Sequence, residues 1–242
     1  VLLVGQRLST GSAAALTVQP IAEAGEAVAL FGRGSMLARM AAGYVEVIRN
    51  LPLLLVDRDA IQNFIYGRTG VATANFLNNP QRFASKNTKF EFNIDKAIQV
   101  LETAGWKKGA DGIREKGGKK LKFVFQTSIN GPRQKTQQII KQAAQRAGID
   151  LELKSVPASV YFSSDPANPD TYTKFFCDIQ MFTTTMPQPD PEVFMNQYLT
   201  DQFATKANKW LGRNSTRYSN PEYDKAYLAA QSEMDPVKRA AL

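Results

Sequence analysis

Histidine is absent from all 242 residues, and Cys177 is the single cysteine. Those two facts exclude Ser-His-Asp and Cys-His nucleophile systems, the common Cys/His zinc sites and any disulfide within the chain. Carboxylates remain, and Asp170 and Asp178 are the pair that could share acid–base work, as in a small α/β hydrolase or transferase. Their spacing specifies no chemistry, and no G-x-S-x-G elbow accompanies them. Cys177 precedes the apolar run "DIQMF", where we expect a buried strand cysteine acting as a small hydrophobe. No metal or other cofactor is expected.

A different chemistry is suggested by "TTTMPQPDPEVF", residues 183–194. Its hydroxyls and backbone groups can hydrogen-bond a ligand without moving a proton. The preceding "CDIQMFT", 177–183, reads as a strand, so the threonines lie just past its carboxyl end. Asp190 is placed to cap a following helix, with Pro191 in its first turn and Phe194, Gln197 and Tyr198 at helical spacing. Loops at the carboxyl ends of strands are where open α/β sheets bind ligands. The alternative is a connection merely stiffened by Pro187, Pro189 and Pro191, and spacing does not choose between the two.

The elements that hold this loop are periodic from Asp57 onward. "DRDAIQNFIYG" puts Ile61, Phe64 and Ile65 on one helical face and stops at Gly67. "NIDKAIQVLETAGW" offers Asn93 as a cap, Ile94, Ala97, Ile98, Leu101 and Ala104 as a buried stripe, and Gly105 as its end. "REKGGKKLK" reads as a solvated lysine hairpin turning at Gly117 and Gly118. "KLKFVFQTS", 120–128, alternates as a strand with one face in the core. A helix over 133–148, with Ile139, Ile140, Ala143 and Ala147 inward, leads to a second alternating strand over 149–156. Strand, helix and strand make a crossover unit, so the pair should be parallel and the fold class α/β. Asn220-Pro221 and Asp235-Pro236 each open a helix. The second has hardly begun at Leu242, so a fragment of a longer chain is expected. Before residue 55 the chain is rich in Ala, Gly, Val and Leu, and only 36–49 reads as a helix.

Thirty Lys and Arg against 22 Asp and Glu give a net charge of +8, but these residues are scattered or sit in the lysine hairpin, and no nucleic-acid partner is expected. No stretch reaches the eighteen or so apolar residues of a spanning helix, and no convincing signal peptide is visible.

From about Val56 to Leu242 the chain resembles the solute-binding receptors of peptide-type ABC importers, the oligopeptide- and dipeptide-binding class. The likeness rests on "DRDAI…IYGRTG", "NIDKAIQVLETAGW", "DGIREKGGKKLKFVFQT", "RAGIDLEL", "PDPEVF" and "YSNPEYDKAYLAAQSEMDPVKRAAL", in that order. The resemblance implies one lobe of a type II periplasmic-binding-protein fold, with a mixed sheet flanked by helices, in a monomeric, non-enzymatic periplasmic receptor. Its partners would be a peptide or related small solute and an ABC permease in the inner membrane. Phe182, Thr183, Thr184, Thr185 and Met186, with Arg213 and Asn214 of "GRN", are the candidate ligand contacts. Peptide binders of the class carry an acid before the "DP" that holds the ligand's amino terminus. Here Pro187 stands in its place, which removes the charge-assisted bond to a free ammonium.

Residues 37–55, "LARMAAGYVEVIRNLPLLL", resemble the entry segment of polar-amino-acid ABC permeases. Two parts are therefore expected: an atypical permease-like segment over 1–55 and a partial receptor lobe over 56–242, joined by a gene fusion or an assembly error. The corresponding functional alternative is a truncated or fused remnant that folds without binding solute.

Overall fold

The computed structural model describes residues 54–242. The expected helix at 36–49, and all but the last two residues of the permease-like segment, lie outside them.

Local signals build the helices. Asn93 Oδ1 accepts the Lys96 N–H at 2.9 Å and opens α2 (Ile94–Thr103), after a short α1 (Arg58–Ile61). Ile94, Ala97 and Leu101 are buried along the expected stripe, and Gly105 follows at φ +83°, a conformation that suits glycine. The long α3 (Gly131–Arg146) buries Ala143 and Ala144 on its inner face, with Ala147 just beyond its end, while Ile139 and Ile140 stay half-buried. α4 (Ala158–Tyr161) and α5 (Glu192–Met195) are single turns. α6 (Pro221–Ser232) and α7 (Pro236–Ala241) start as expected: Asn220 Oδ1 accepts the Glu222 N–H at 3.0 Å and Asp235 Oδ1 the Val237 N–H at 2.8 Å.

Among the described residues the strands form two separate sheets. β1 (Lys107–Lys108), β2 (Arg114–Lys116) and β3 (Lys119–Lys120) are an antiparallel meander. Its second turn places Gly117 and Gly118 at φ +57° and +74°, the two-residue hairpin geometry the sequence predicts. The other sheet has the order β5-β4-β6, from β4 (Lys122–Ser128), β5 (Asp150–Val156) and β6 (Ile179–Met181). β4 and β6 are parallel, with Phe125 opposite Ile179. β4 and β5 run the same way too: Asp150 N–H donates to Leu121 O at one end, and Ile129 N–H to Val156 O at the other. Parallel and antiparallel pairs thus occupy different sheets.

Two expectations need correcting. β4 is not one-faced: Phe125, Gln126, Thr127 and Ser128 are all buried, because β4 is the central strand of a parallel sheet. Its polar residues are satisfied: Thr127 Oγ1 donates to Met181 O at 2.6 Å, and Gln126 Nε2 to Asp170 O at 2.8 Å. The stripe of α1 also fails: Phe64 is 81% exposed, since the helix widens into a π-type turn over Gln62–Tyr66 that rotates it off the Ile61–Ile65 face.

The chain divides into two compact units. One comprises Glu91–Lys122 and Ile140–Asp150 with the described residues 54–57, and its core includes Leu54, Leu55, Leu101 and Ile149. The other comprises Arg58–Phe90, Phe123–Ile139 and Leu151–Leu242, with Phe125, Leu151, Tyr161 and Phe194 buried. The second unit holds the candidate site.

Candidate functional site

β6 ends where its last carbonyl is drawn into side-chain bonds. Met181 O accepts from Thr127 Oγ1 at 2.6 Å and from Tyr161 Oη at 3.3 Å. The chain then leaves the sheet at its carboxyl edge, as expected for 183–186. Phe182 packs among Tyr172, Tyr161 and Phe162, with its ring centroid 5.0 Å from that of Tyr172. This aromatic base fixes the start of the loop, and Thr183, Thr184 and Thr185 stand exposed beyond it.

A cavity of about 310 Å³ opens beside them. Phe182, Thr183, Thr184 and Met186 line one side, Phe76, Asn78 and Asn79 another, with Phe194 also in the wall. Phe76 stacks on Phe194 at 4.7 Å and meets Tyr198 edge-on at 4.9 Å, so the apolar wall is itself braced. The lining contains hydroxyls, amides and rings, without a carboxylate or a base. Such a surface can hydrogen-bond peptide-like groups and cover an apolar side chain.

Of the seven expected contacts, four line this cavity. Thr185 is on the same loop but outside the lining, and Arg213 and Asn214 belong to another loop. Arg213 is exposed. Asn214 is fully buried and committed to its own loop: Nδ2 donates to Leu199 O at 2.9 Å and Tyr218 O at 2.8 Å, while Oδ1 accepts from Thr216 Oγ1 and the Tyr218 N–H. Its amide has no capacity left for a solute.

Sequence reasoning missed Arg133, in the first turn of α3. Its Nη1 donates to the buried Ser128 Oγ at 2.5 Å, its Nε reaches Thr183 Oγ1 at 3.4 Å, and its guanidinium lies over the Phe162 ring. No carboxylate forms a salt bridge with it among the described residues. The available signal was the position of "NGPR" just past β4, at the same sheet edge as the threonines. Asn78 and Asn79 gave no signal of any kind.

Asp190 serves the loop rather than the cavity. Its Oδ1 accepts the Glu192 N–H at 2.9 Å and Arg239 Nη2 at 2.9 Å. It stands one residue ahead of the N-cap, which is Pro191, and the expected helix continues after Met195 only as a 3-10 turn over Asn196–Tyr198. Asp170 and Asp178 do not work as a pair: Asp170 binds Lys154 Nζ at 2.5 Å, and Asp178 Oδ2 accepts the Val124 N–H at 2.8 Å. Cys177 is half-buried and precedes β6 instead of lying in it. Burial, reinforced by the neighbouring Asp178 charge, pushes its thiol up to about 11, so it stays protonated and unreactive near neutrality.

A parallel sheet whose carboxyl edge opens on a hydroxyl- and amide-lined cavity is the arrangement of an α/β ligand-binding lobe. Residues 53–206 match the middle portion of the bacterial extracellular solute-binding proteins, family 5, and the chain belongs to that family. Over 149 residues it is 31% identical to the oligopeptide-binding protein AppA of Bacillus subtilis, a match covering 61% of this chain and 25% of AppA. The structure of AppA with a nonapeptide superposes with a TM-score of 0.65 at 23% identity, covering 81% of this chain and 37% of AppA. NikZ from Campylobacter jejuni, in complex with Ni(L-His), gives 0.66 at 23% identity over 81% and 37%. A Thermotoga maritima oligopeptide-binding protein with bound mannohexaose gives 0.65 at 17% identity over 82% and 38%. The fold is that of part of a type II periplasmic-binding protein, and the chain spans about a quarter of AppA's sequence.

Proposed function

We propose that this chain supplies one solute-contacting lobe of a periplasmic, non-enzymatic receptor that delivers peptides or related polar solutes to an inner-membrane ABC permease. The observation that carries the reading is the cavity beyond β6, where Thr183, Thr184, Asn78 and Asn79 offer neutral hydrogen-bonding groups against a wall of Phe76, Phe182 and Phe194. Neutral groups suit a peptide backbone of varied sequence, because they complement amide N–H and C=O without demanding one side chain. With Pro187 where the class carries an acid, ligand recognition rests on the backbone and not on a terminal ammonium. Arg133, next to Thr183, is the group we assign to a ligand carbonyl or carboxylate. The receptor works as a monomer and binds no nucleic acid. The permease-like reading of 1–55 stands with this proposal as a separate segment.

Calorimetric titration of the 242-residue chain with a mixed-sequence oligopeptide pool tests the reading. Saturable binding is expected, weakened about tenfold in a Thr183→Val/Thr184→Val variant that loses two neutral hydrogen bonds. No heat with a folded chain would replace the receptor reading with a remnant that folds without binding.

A further inference from the structure

Between Phe203 and Tyr218 the sequence holds four cations, Lys206, Lys209, Arg213 and Arg217, and no acidic residue, with Trp210 and Leu211 among them. The structure closes this segment into a compact loop. Phe203 and Asn214 form an isolated bridge, Ala204 N–H donates to Asn214 O at 3.1 Å, and Asn214 N–H donates to Gln202 O at 2.7 Å. Inside it, Asn208 Nδ2 donates to Phe203 O at 2.7 Å and Trp210 N–H to Thr205 O at 2.8 Å. A loop so bonded to itself holds its tip in place without help from a partner.

What the loop displays is apolar. Leu211 is 65% exposed, and Phe176, reaching it from a neighbouring segment, is 66% exposed and edge-on to Trp210 at 5.5 Å. All four non-glycine residues with positive φ among the described residues belong to this patch: Phe175, Lys209, Trp210 and Arg217, at 51–63°. Such a backbone is unfavourable for side chains of this size and persists only where the surroundings enforce it.

We propose that this patch docks on an anionic lipid surface. Phe176, Trp210 and Leu211 enter the interfacial layer, and Lys206, Lys209 and Arg213 meet the headgroup phosphates. Exposed Phe176 and Leu211 beside the half-buried Trp210, ringed by Lys and Arg, match a membrane interface, which is apolar below and negative at its rim. Stacking ligands such as sugars or bases fit less well. Lys174 Nζ lies 5.8 Å and the Arg217 guanidinium 5.7 Å from the Trp210 ring centroid, so cations already stand over the indole, and Leu211 has no ring to offer.

Cosedimentation of the whole chain with vesicles tests the proposal. Vesicles of phosphatidylcholine mixed with phosphatidylglycerol should bind about tenfold more tightly than phosphatidylcholine alone, and binding should weaken as salt rises from about 0.05 to about 0.5 M. Phe176→Ser/Leu211→Ser removes the apolar contact, and Lys206→Glu/Lys209→Glu reverses the attraction. Each should lower binding about tenfold with an unchanged melting temperature, since all four side chains are exposed. Equal binding to both vesicles, absence of binding, or variants that bind like the parent would overturn it. Retention on a soluble polyanion with none on vesicles would do so too, reassigning the patch to a charged polymer. Peptide titration is read separately, so neither result depends on the other.

Discussion

Arg114 brings a full positive charge to a position where only 5% of its side chain meets water. Each of its three nitrogens has a partner: Nε donates to Ala147 O at 2.8 Å, Nη1 to Trp106 O at 2.9 Å and Nη2 to Glu102 Oε1 at 3.0 Å. Glu102 is largely solvated, so the ion pair contributes little; the two carbonyls are the larger stake. Arg114→Ala strands both and opens a void, and urea unfolding should show a loss of about 2–4 kcal/mol. Arg114→Lys should recover only part of it, because an ammonium cannot fork between the carbonyls. None of this was legible. In sequence Arg114 opens a lysine-rich hairpin and reads as one more solvated cation, as Arg133 reads as an ordinary helix residue. A buried charge is known by its partners, and those of Arg114 include Ala147, 33 positions away.

Helix starts are the opposite case, because a cap is complete within four residues. Asn93, Asn220 and Asp235 each accept the backbone N–H groups that the sequence assigns them. Asn220→Ala and Asp235→Ala should each lose about 1 kcal/mol of helix stability. The two should differ in kind by circular dichroism: α7, only six residues long, should melt outright, whereas the twelve residues of α6 should fray at one end. Strand β4 lies between the legible and the illegible. Its existence followed from alternation, but its second buried face did not, because Gln126, Thr127 and Ser128 are polar and find partners only in the folded chain. The position of the cavity loop was legible for the same reason as the caps, a strand running into a proline turn. The facing Phe76, Asn78 and Asn79 come from more than a hundred residues earlier, and no local pattern joins them to it.

Across the whole described chain, burial sets the response to alkali. Tyr161, Tyr223 and Tyr198 are pushed above the ordinary tyrosine range, Tyr198 to about 12, and Cys177 rises to about 11, in each case chiefly through loss of hydration. The unfolded chain releases these protons first, so the folded state binds more of them between about pH 9 and 12. Stability from these groups is therefore complete below pH 9 and declines as pH rises through that window. Thermal unfolding followed from pH 8 to 12 should show a steadily falling midpoint, with Cys177→Ser shifting only the early part of the fall. The loop closed by Asn214 behaves differently from these packed groups. It is fastened from within at its base, where Asn214 and Gly212 allow no replacement: a Cβ on Gly212 would lie 2.3 Å from Phe203 O. Within the loop, Asn208 Nδ2 donates to Phe203 O and the Trp210 N–H to Thr205 O, while Lys206, Ala207 and Leu211 face water. Those three exposed positions can be exchanged while the loop keeps its closure, so the surface the tip presents is set independently of the cavity beyond β6.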